Sequence, residues 1–283
     1  TEGAQAMAIK LEESGGAADS GKPMFVDGAG NLYFLRDGGD VGGGGGGSPG
    51  RYSIVRIGAN GVVTTVAGGG TTYPADSGSI VATTAYINNA PTFVVNHVGS
   101  NLYIWDSTPP NGGGGNSNAR IRQVNLGTGQ MTTYAGAGNS FTEGAQAMAI
   151  KLEESGGAAG SAKPMFVDGA GNLYFLRDAG TYGGGVGRYS IVRIGLSHGY
   201  RVVKTVAGGG TTYPADSGSI LATTAYINYA PTFAVDHNSS NLYIWDTTAP
   251  NGGGGASSYA RIRSVSSTTG IYTCVITDGQ GNT

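Results

Sequence analysis

An all-β fold built from tandem units is predicted by three features of this 283-residue sequence: a long internal repeat, abundant glycine, and short β-rich runs parted by turn residues. Thr1–Ala18 reads TEGAQAMAIKLEESGGAA, and Thr142–Ala159 reads the same. The chain is thus two copies, 1–141 and 142–283, of a unit of about 141 residues, and such a period marks an architecture stacked from supersecondary units. The 54 glycines and the low share of charged residues, 12%, fit short strands and many turns better than helices.

The strands of the first copy follow in order. Met24–Val26 and Leu32–Leu35 flank Asp27-Gly28-Ala29-Gly30-Asn31, whose glycines supply positive φ and whose aspartate can accept backbone amides ahead of it, so the two runs form a hairpin. Tyr52–Ile57 and Val62–Ala67 come next, joined at Gly58–Gly61, and their β-branched and aromatic residues suit a pleated surface. The pattern then recurs. Pro23-Met24-Phe25-Val26 and Asn31-Leu32-Tyr33-Phe34 match Pro91-Thr92-Phe93-Val94 and Asn101-Leu102-Tyr103-Ile104, with a later turn at Gly127-Thr128-Gly129. Half-units of roughly 70 residues with four antiparallel strands each read as propeller blades. Four such blades, near 23–70, 91–138, 164–210 and 231–276, predict one β-propeller or propeller-like array.

Between blades lie connectors at Gly68–Ala90 and Gly136–Lys163, for which no regular structure is predicted. One phrase, AMAIKLEE, reads equally as an edge strand, with period two over Met7, Ile9 and Leu11 in its first occurrence. The copies differ in length only in glycine-rich loops. Gly38–Pro49 shrinks to Ala179–Val186 and Ala59–Gly61 grows to Leu196–Arg201, while RYSIVRIG stands unaltered at Arg51–Gly58 and Arg188–Gly195, as expected when packing fixes strands and leaves loops free. Residue 1 falls inside the repeating pattern, which predicts a fragment or processed product of a longer array.

Asn101-Leu102-Tyr103-Ile104-Trp105-Asp106, then Ala119-Arg120-Ile121-Arg122-Gln123-Val124, then Thr132-Thr133-Tyr134-Ala135-Gly136 resembles the blade pattern of NHL-repeat propellers. The likeness extends to all four half-units and to the connector from Tyr73-Pro74-Ala75-Asp76 through Tyr86-Ile87-Asn88, similar to that family's inter-blade segment. It implies a propeller but no single function, because the family hosts scaffolds, receptors and a few lyases on one architecture. Long blades, inserted glycine runs such as Gly42–Gly47, and a count below the usual six depart from the family pattern. Three arrangements follow: four blades closing on themselves, several chains completing a ring, or an extended array.

Composition narrows the partners. A formal net charge of −2 with five lysines lacks the basic footprint of a nucleic-acid binder. No apolar run approaches the ~20 residues of a membrane span, and Cys274, the sole cysteine, reads as a small apolar strand residue. The glycine runs Gly42–Gly47, Gly112–Gly115 and Gly252–Gly255 lack the Lys and Ser/Thr of a phosphate loop. His97, His198 and His237 read as turn or loop residues with no metal-ligand spacing, so no metal, cofactor or catalytic residue is nominated.

Asp37, Asp106, Asp178 and Asp246 each end the second strand of a blade. Recurrence in every blade is what a fold requirement produces, so they are expected to bond backbone amides or to pair with the arginines entering the third strand, Arg51, Arg120, Arg188 and Arg261. Trp105 and Trp245 are expected in the core between blades. Tyr52, Tyr73, Tyr182, Tyr189 and Tyr213 form the candidate contact surface, since tyrosine joins apolar area to a hydroxyl. Asn238 opens an N-glycosylation sequon and Ser107-Thr108-Pro109-Pro110 offers an O-linked site. Scarce lysine, plentiful Gly, Ser, Thr, Asn and Tyr, and duplicated units resemble bacterial surface and secreted repeat proteins. The expectation is therefore an extracellular, non-enzymatic scaffold that associates with itself, as a filament subunit. The alternatives are a monomeric glycan- or protein-binding module and, less favoured, a lyase-like enzyme.

Overall fold

The computed structural model describes residues 23–37, 52–87, 92–107, 119–152, 163–182, 186–215, 217–227, 232–248 and 260–277. The chain is all-β, a four-blade β-propeller whose sheets are all antiparallel. The described residues up to Gly138 belong to one compact unit and those from Asn139 onward to a second, each holding two blades.

Blade one runs β1 (Met24–Val26), β2 (Leu32–Asp37), β3 (Tyr52–Ile57) and β4 (Val63–Gly68), each strand pairing with its sequence neighbour. These bounds lie within two residues of those expected, because turn chemistry fixes both ends of each hairpin. Asp27 is the clearest case: its carboxylate accepts the amides of Ala29 and Asn31 at 3.0 and 2.9 Å and closes the turn that sets Met24 opposite Phe34. Blade two comprises β5 (Ser79–Val81), β6 (Phe93–Val95), β7 (Asn101–Asp106), β8 (Arg120–Asn125) and β9 (Gln130–Ala135), with β5 paired to β9 as a fifth strand. In the second unit, blade three holds β10 (Met165–Val167), β11 (Leu173–Tyr182), β12 (Val186–Ser197) and β13 (Tyr200–Gly208). Blade four repeats the five-stranded plan with β14 (Ser219–Leu221), β15 (Thr232–Val235), β16 (Leu242–Asp246), β17 (Arg261–Val265) and β18 (Ile271–Thr277).

The connectors are more ordered than the sequence indicates. Gly68–Ala90 and its second-copy equivalent, 208–230, each supply a strand and a single 3-10 turn, Ala82–Thr84 after β5 and Ala222–Thr224 after β14. The AMAIKLEE phrase of the second copy resolves between its two readings: Gln146 makes one antiparallel bridge to Val202, and Ala147–Ala149 is a 3-10 turn rather than a continuing strand. A glycine makes the connector geometry possible. A Cβ on Gly70 would stand 2.0 Å from the Thr84 carbonyl oxygen, and on Gly210 2.1 Å from that of Thr224.

The core of each unit lies between its two blades. Tyr33, Leu35 and Ile54 of blade one meet Phe93, Leu102, Ile104 and Val124 of blade two, and Ala82, Ala85 and Ile87 of the connector seal the edge. Phe25 and Phe93 pack edge to face at 5.3 Å, the preferred aromatic geometry. The second unit repeats this with Tyr174, Leu176 and Ile191 against Phe233, Leu242 and Ile244.

Candidate functional site

The recurring aspartates are structural, but their arginine partners are not those expected. Asp106 and Asp246 are fully buried, and the guanidinium that reaches each comes from Arg122 or Arg263, two residues beyond Arg120 or Arg261. Arg263 donates from Nε to Asp246 at 2.8 Å and from its two terminal nitrogens to the Ala215 and Pro214 carbonyls at 2.9 and 3.0 Å. Arg122 does the same with Asp106, Ala75 and Pro74, and also reaches Thr133 Oγ1. Arg120 instead forks onto Asp76 at 2.7 and 2.9 Å. That donation holds the Asp76 carboxyl below its usual range against the opposing effect of burial. Asp178 is buried as well, and the side chain of Asp37 and the whole of Arg51 lie outside the described residues. Tyr272 donates to Asp246 at 3.2 Å; burial first, and then that carboxylate, push its hydroxyl pKa well up.

The histidines sit where the sequence places them, in turns. His97 and His237 each offer a backbone carbonyl to a glycine amide of the neighbouring blade in the same unit, Gly28 at 2.6 Å and Gly169 at 2.8 Å. His198 tips the β12–β13 hairpin at a φ of 50°. Among the described residues, no three His, Cys, Asp or Glu side chains converge as metal ligands would. Cys274 is half-buried on β18. Asn238 is exposed in the turn after β15, its amide donated to Asp236 at 2.8 Å.

Of the five tyrosines nominated for contact, Tyr73 and Tyr213 are exposed, each ring against a second tyrosine, Tyr86 at 4.9 Å and Tyr226 at 4.8 Å. Tyr52 and Tyr189 are half-buried against the two cores, and the side chain of Tyr182 lies outside the described residues. Thr108, Pro109 and Pro110 also lie outside them, while Ser107 is buried.

Two features went unread in the sequence. The first is an uncovered sheet face on blade four. Trp105 is buried at 6% exposure, as expected, but Trp245, at the matching position of an identical NLYIWD phrase, is 49% exposed and is not a core residue. Tyr243, Thr232 and Ala234 on the same face are exposed too, whereas Tyr103, Thr92 and Val94 in blade two are buried. Blade one shows a parallel contrast at the other end of the pattern: Met24 is 67% exposed, its counterpart Met165 only 2%.

The second is a cleft of about 240 Å³ between blades three and four of the second unit. Tyr174, Arg193, Lys204 and Thr205 line it from blade three; Thr223, Ser240 and the Ser266–Gly270 turn line it from the blade-four side. Behind it Asp168 is saturated, accepting from Asn172 Nδ2 and Ser240 Oγ at 2.8 Å each, from Tyr174 at 3.1 Å and from two backbone amides. Burial raises the Asp168 pKa, but these donors outweigh it and leave the carboxyl below its usual value.

No protein-family model matches the chain, and no curated protein is significantly similar to it. Among solved structures, the chain is similar to TolB from Acinetobacter baumannii, at 12% identity and a TM-score of 0.44, over 90% of this chain and 44% of that one. It is also similar to a GH43_12 retrieved from a capybara gut metagenome, at 13% identity and a TM-score of 0.40, over 93% of this chain and 41% of that one. The chain thus spans less than half the length of either. One expectation is corrected by this: the chain was expected not to be an enzyme, and a glycoside hydrolase stands among its structural neighbours.

Proposed function

We propose that this chain is an extracellular propeller scaffold of the NHL kind that assembles with copies of itself into a filament. The observation that carries the reading is the uncovered face of blade four, bearing Trp245 at 49% exposure where the same residue of blade two has 6%. A sheet face rich in Trp, Tyr and Ala is a poor surface to leave in water, and a contiguous apolar patch of this kind marks an association site. Its occupant is a second copy. The matching face in blade two is buried, so the same residues fit a covered face. The exposed Met24 and Val26 of blade one form a different apolar surface, so a contact from the blade-four face of one copy to the blade-one face of the next is heterologous and propagates. The NHL assignment rests on the recurring blade phrase, and the extracellular one on composition and duplication.

Sedimentation velocity and electron microscopy across a concentration series test the reading. The native chain is expected to form large regular species, and Trp245→Glu to remain a single chain with unaltered circular dichroism. A native chain that stays monomeric at every concentration, or a Trp245→Glu variant that still assembles, overturns it.

A further inference from the structure

The cleft between blades three and four is a ligand site unrelated to the assembly face, and we infer that it takes one sugar ring bearing an acidic group, a uronate. Three observations converge on it. Arg193 and Lys204 stand directly across from each other on β12 and β13, and among the described residues no aspartate or glutamate lines the cleft. Glu143, which lines a neighbouring cavity with Arg193 and Lys204, is engaged by the Thr205 amide at 3.0 and 3.1 Å, and Asp168 behind the cleft is saturated. The Nε of Arg193 is buried without a hydrogen-bond partner. A guanidinium never loses its proton and is donor-only, so an orphaned N–H on it calls for an acceptor, ideally an anion.

The rest of the lining selects for hydroxyls. Ser240, Thr223, Ser266, Thr268 and Thr269 ring the mouth, beside the apolar surfaces of Leu221 and Leu242. A volume of about 240 Å³ falls below the roughly 300–1,000 Å³ of drug-sized pockets and suits a single ring.

Divergence between the copies sharpens the inference. The first unit carries Arg56 at the position of Arg193, and its Nε is likewise buried without a partner, as is the Thr64 hydroxyl beside it. Yet Thr64 stands where the second unit has Lys204, Leu126 where it has Ser267, and Gly127 where it has Thr268. These exchanges add a cation and two hydroxyls to one cleft, the lysine within a stretch the copies otherwise share, VVKTVAGGG against VVTTVAGGG, and the hydroxyls within one where they diverge widely. The second copy is thereby the acidic-sugar site.

Isothermal titration calorimetry of the full chain with D-glucuronate, D-glucose and inorganic phosphate separates the alternatives. Glucuronate is expected to bind, with glucose and phosphate each at least ~10-fold weaker, a gap of about 1.4 kcal/mol. Lys204→Thr is expected to weaken glucuronate ~10-fold or more while leaving the melting temperature unchanged, because the first unit accommodates threonine at that position. Phosphate binding as tightly as glucuronate would reduce the cleft to a plain anion site and overturn the sugar assignment. Glucose binding equally well, no binding of glucuronate, or a Lys204→Thr variant that binds as the native chain does would each overturn it too. None of these results bears on assembly, so failure here leaves the filament proposal standing.

Discussion

Arg122 and Arg263 show how single residues carry structural information across a blade. Each guanidinium ties the second strand, through Asp106 or Asp246, to two carbonyls of the connector that precedes its blade, Pro74 and Ala75 or Pro214 and Ala215. A charge removed from water this completely persists only because each guanidinium nitrogen finds an acceptor. Lysine offers a point charge without the planar fork, so it cannot reach the carboxylate and both carbonyls at once. Arg263→Lys is therefore expected to destabilise the protein by about 3 kcal/mol, toward the cost of breaking a buried pair, as read from the midpoint of urea unfolding. A loss below about 1 kcal/mol would place this arginine among the weakly coupled surface pairs instead. The sequence pointed to backbone amides or to Arg120 and Arg261 as partners of these aspartates, and the arginines that reach them are Arg122 and Arg263. Strand periodicity sends Arg120 and Arg122 to one face, and only the path of the connector, which carries Asp76 to 2.7 Å from Arg120 and 3.7 Å from Arg122, leaves Asp106 to Arg122.

At the scale of elements, the strands were legible where turn chemistry bounds them and illegible where pairing creates them. The Asp27 and Asp168 turns announce hairpins by their own residues. β5 and β14, three residues each, have no period or flanking signal long enough to read, and exist as strands because β9 and β18 offer an open edge. The connector after β13 depends on a close approach as well. Gly210 donates its amide to the Ala225 carbonyl at 3.1 Å, with the Thr224 carbonyl occupying the space of a Cβ. Since the obstructing atoms are backbone, no rotamer change relieves them. Gly210→Ala is expected to cost about 1–3 kcal/mol, the range of overpacking, and to raise hydrogen exchange at Ala225 and Tyr226 above that of the blade strands. An unchanged exchange pattern would show that the connector shifts without strain.

For the whole molecule, duplication separates what a sequence specifies from what its surroundings do. Both copies carry the phrase NLYIWD, and both Trp105 and Trp245 stand on the strand next to the edge of a five-stranded blade, so local sequence gives the two indoles the same expectation. Their exposures differ because burial of an outward strand face depends on what covers it, which no property of the strand records. The cleft is illegible in the sequence for a related reason: Arg193, Lys204, Ser240 and Thr268 are scattered over some 75 residues and meet only through strand register and blade packing. The contrast between the tryptophans gives a direct measure of coverage. Trp105→Ala removes a buried indole and is expected to cost about 3–5 kcal/mol. Trp245→Ala, measured at a dilution where the chain is monomeric, is expected to cost less than about 1 kcal/mol, as surface substitutions do. Raising the protein concentration should then stabilise the native chain but not the Trp245→Ala variant, because association adds stability only to the form that can associate. Equal losses for the two substitutions in the dilute regime would mean that Trp245 is covered within a single chain, and the face of blade four would no longer be available to a second copy.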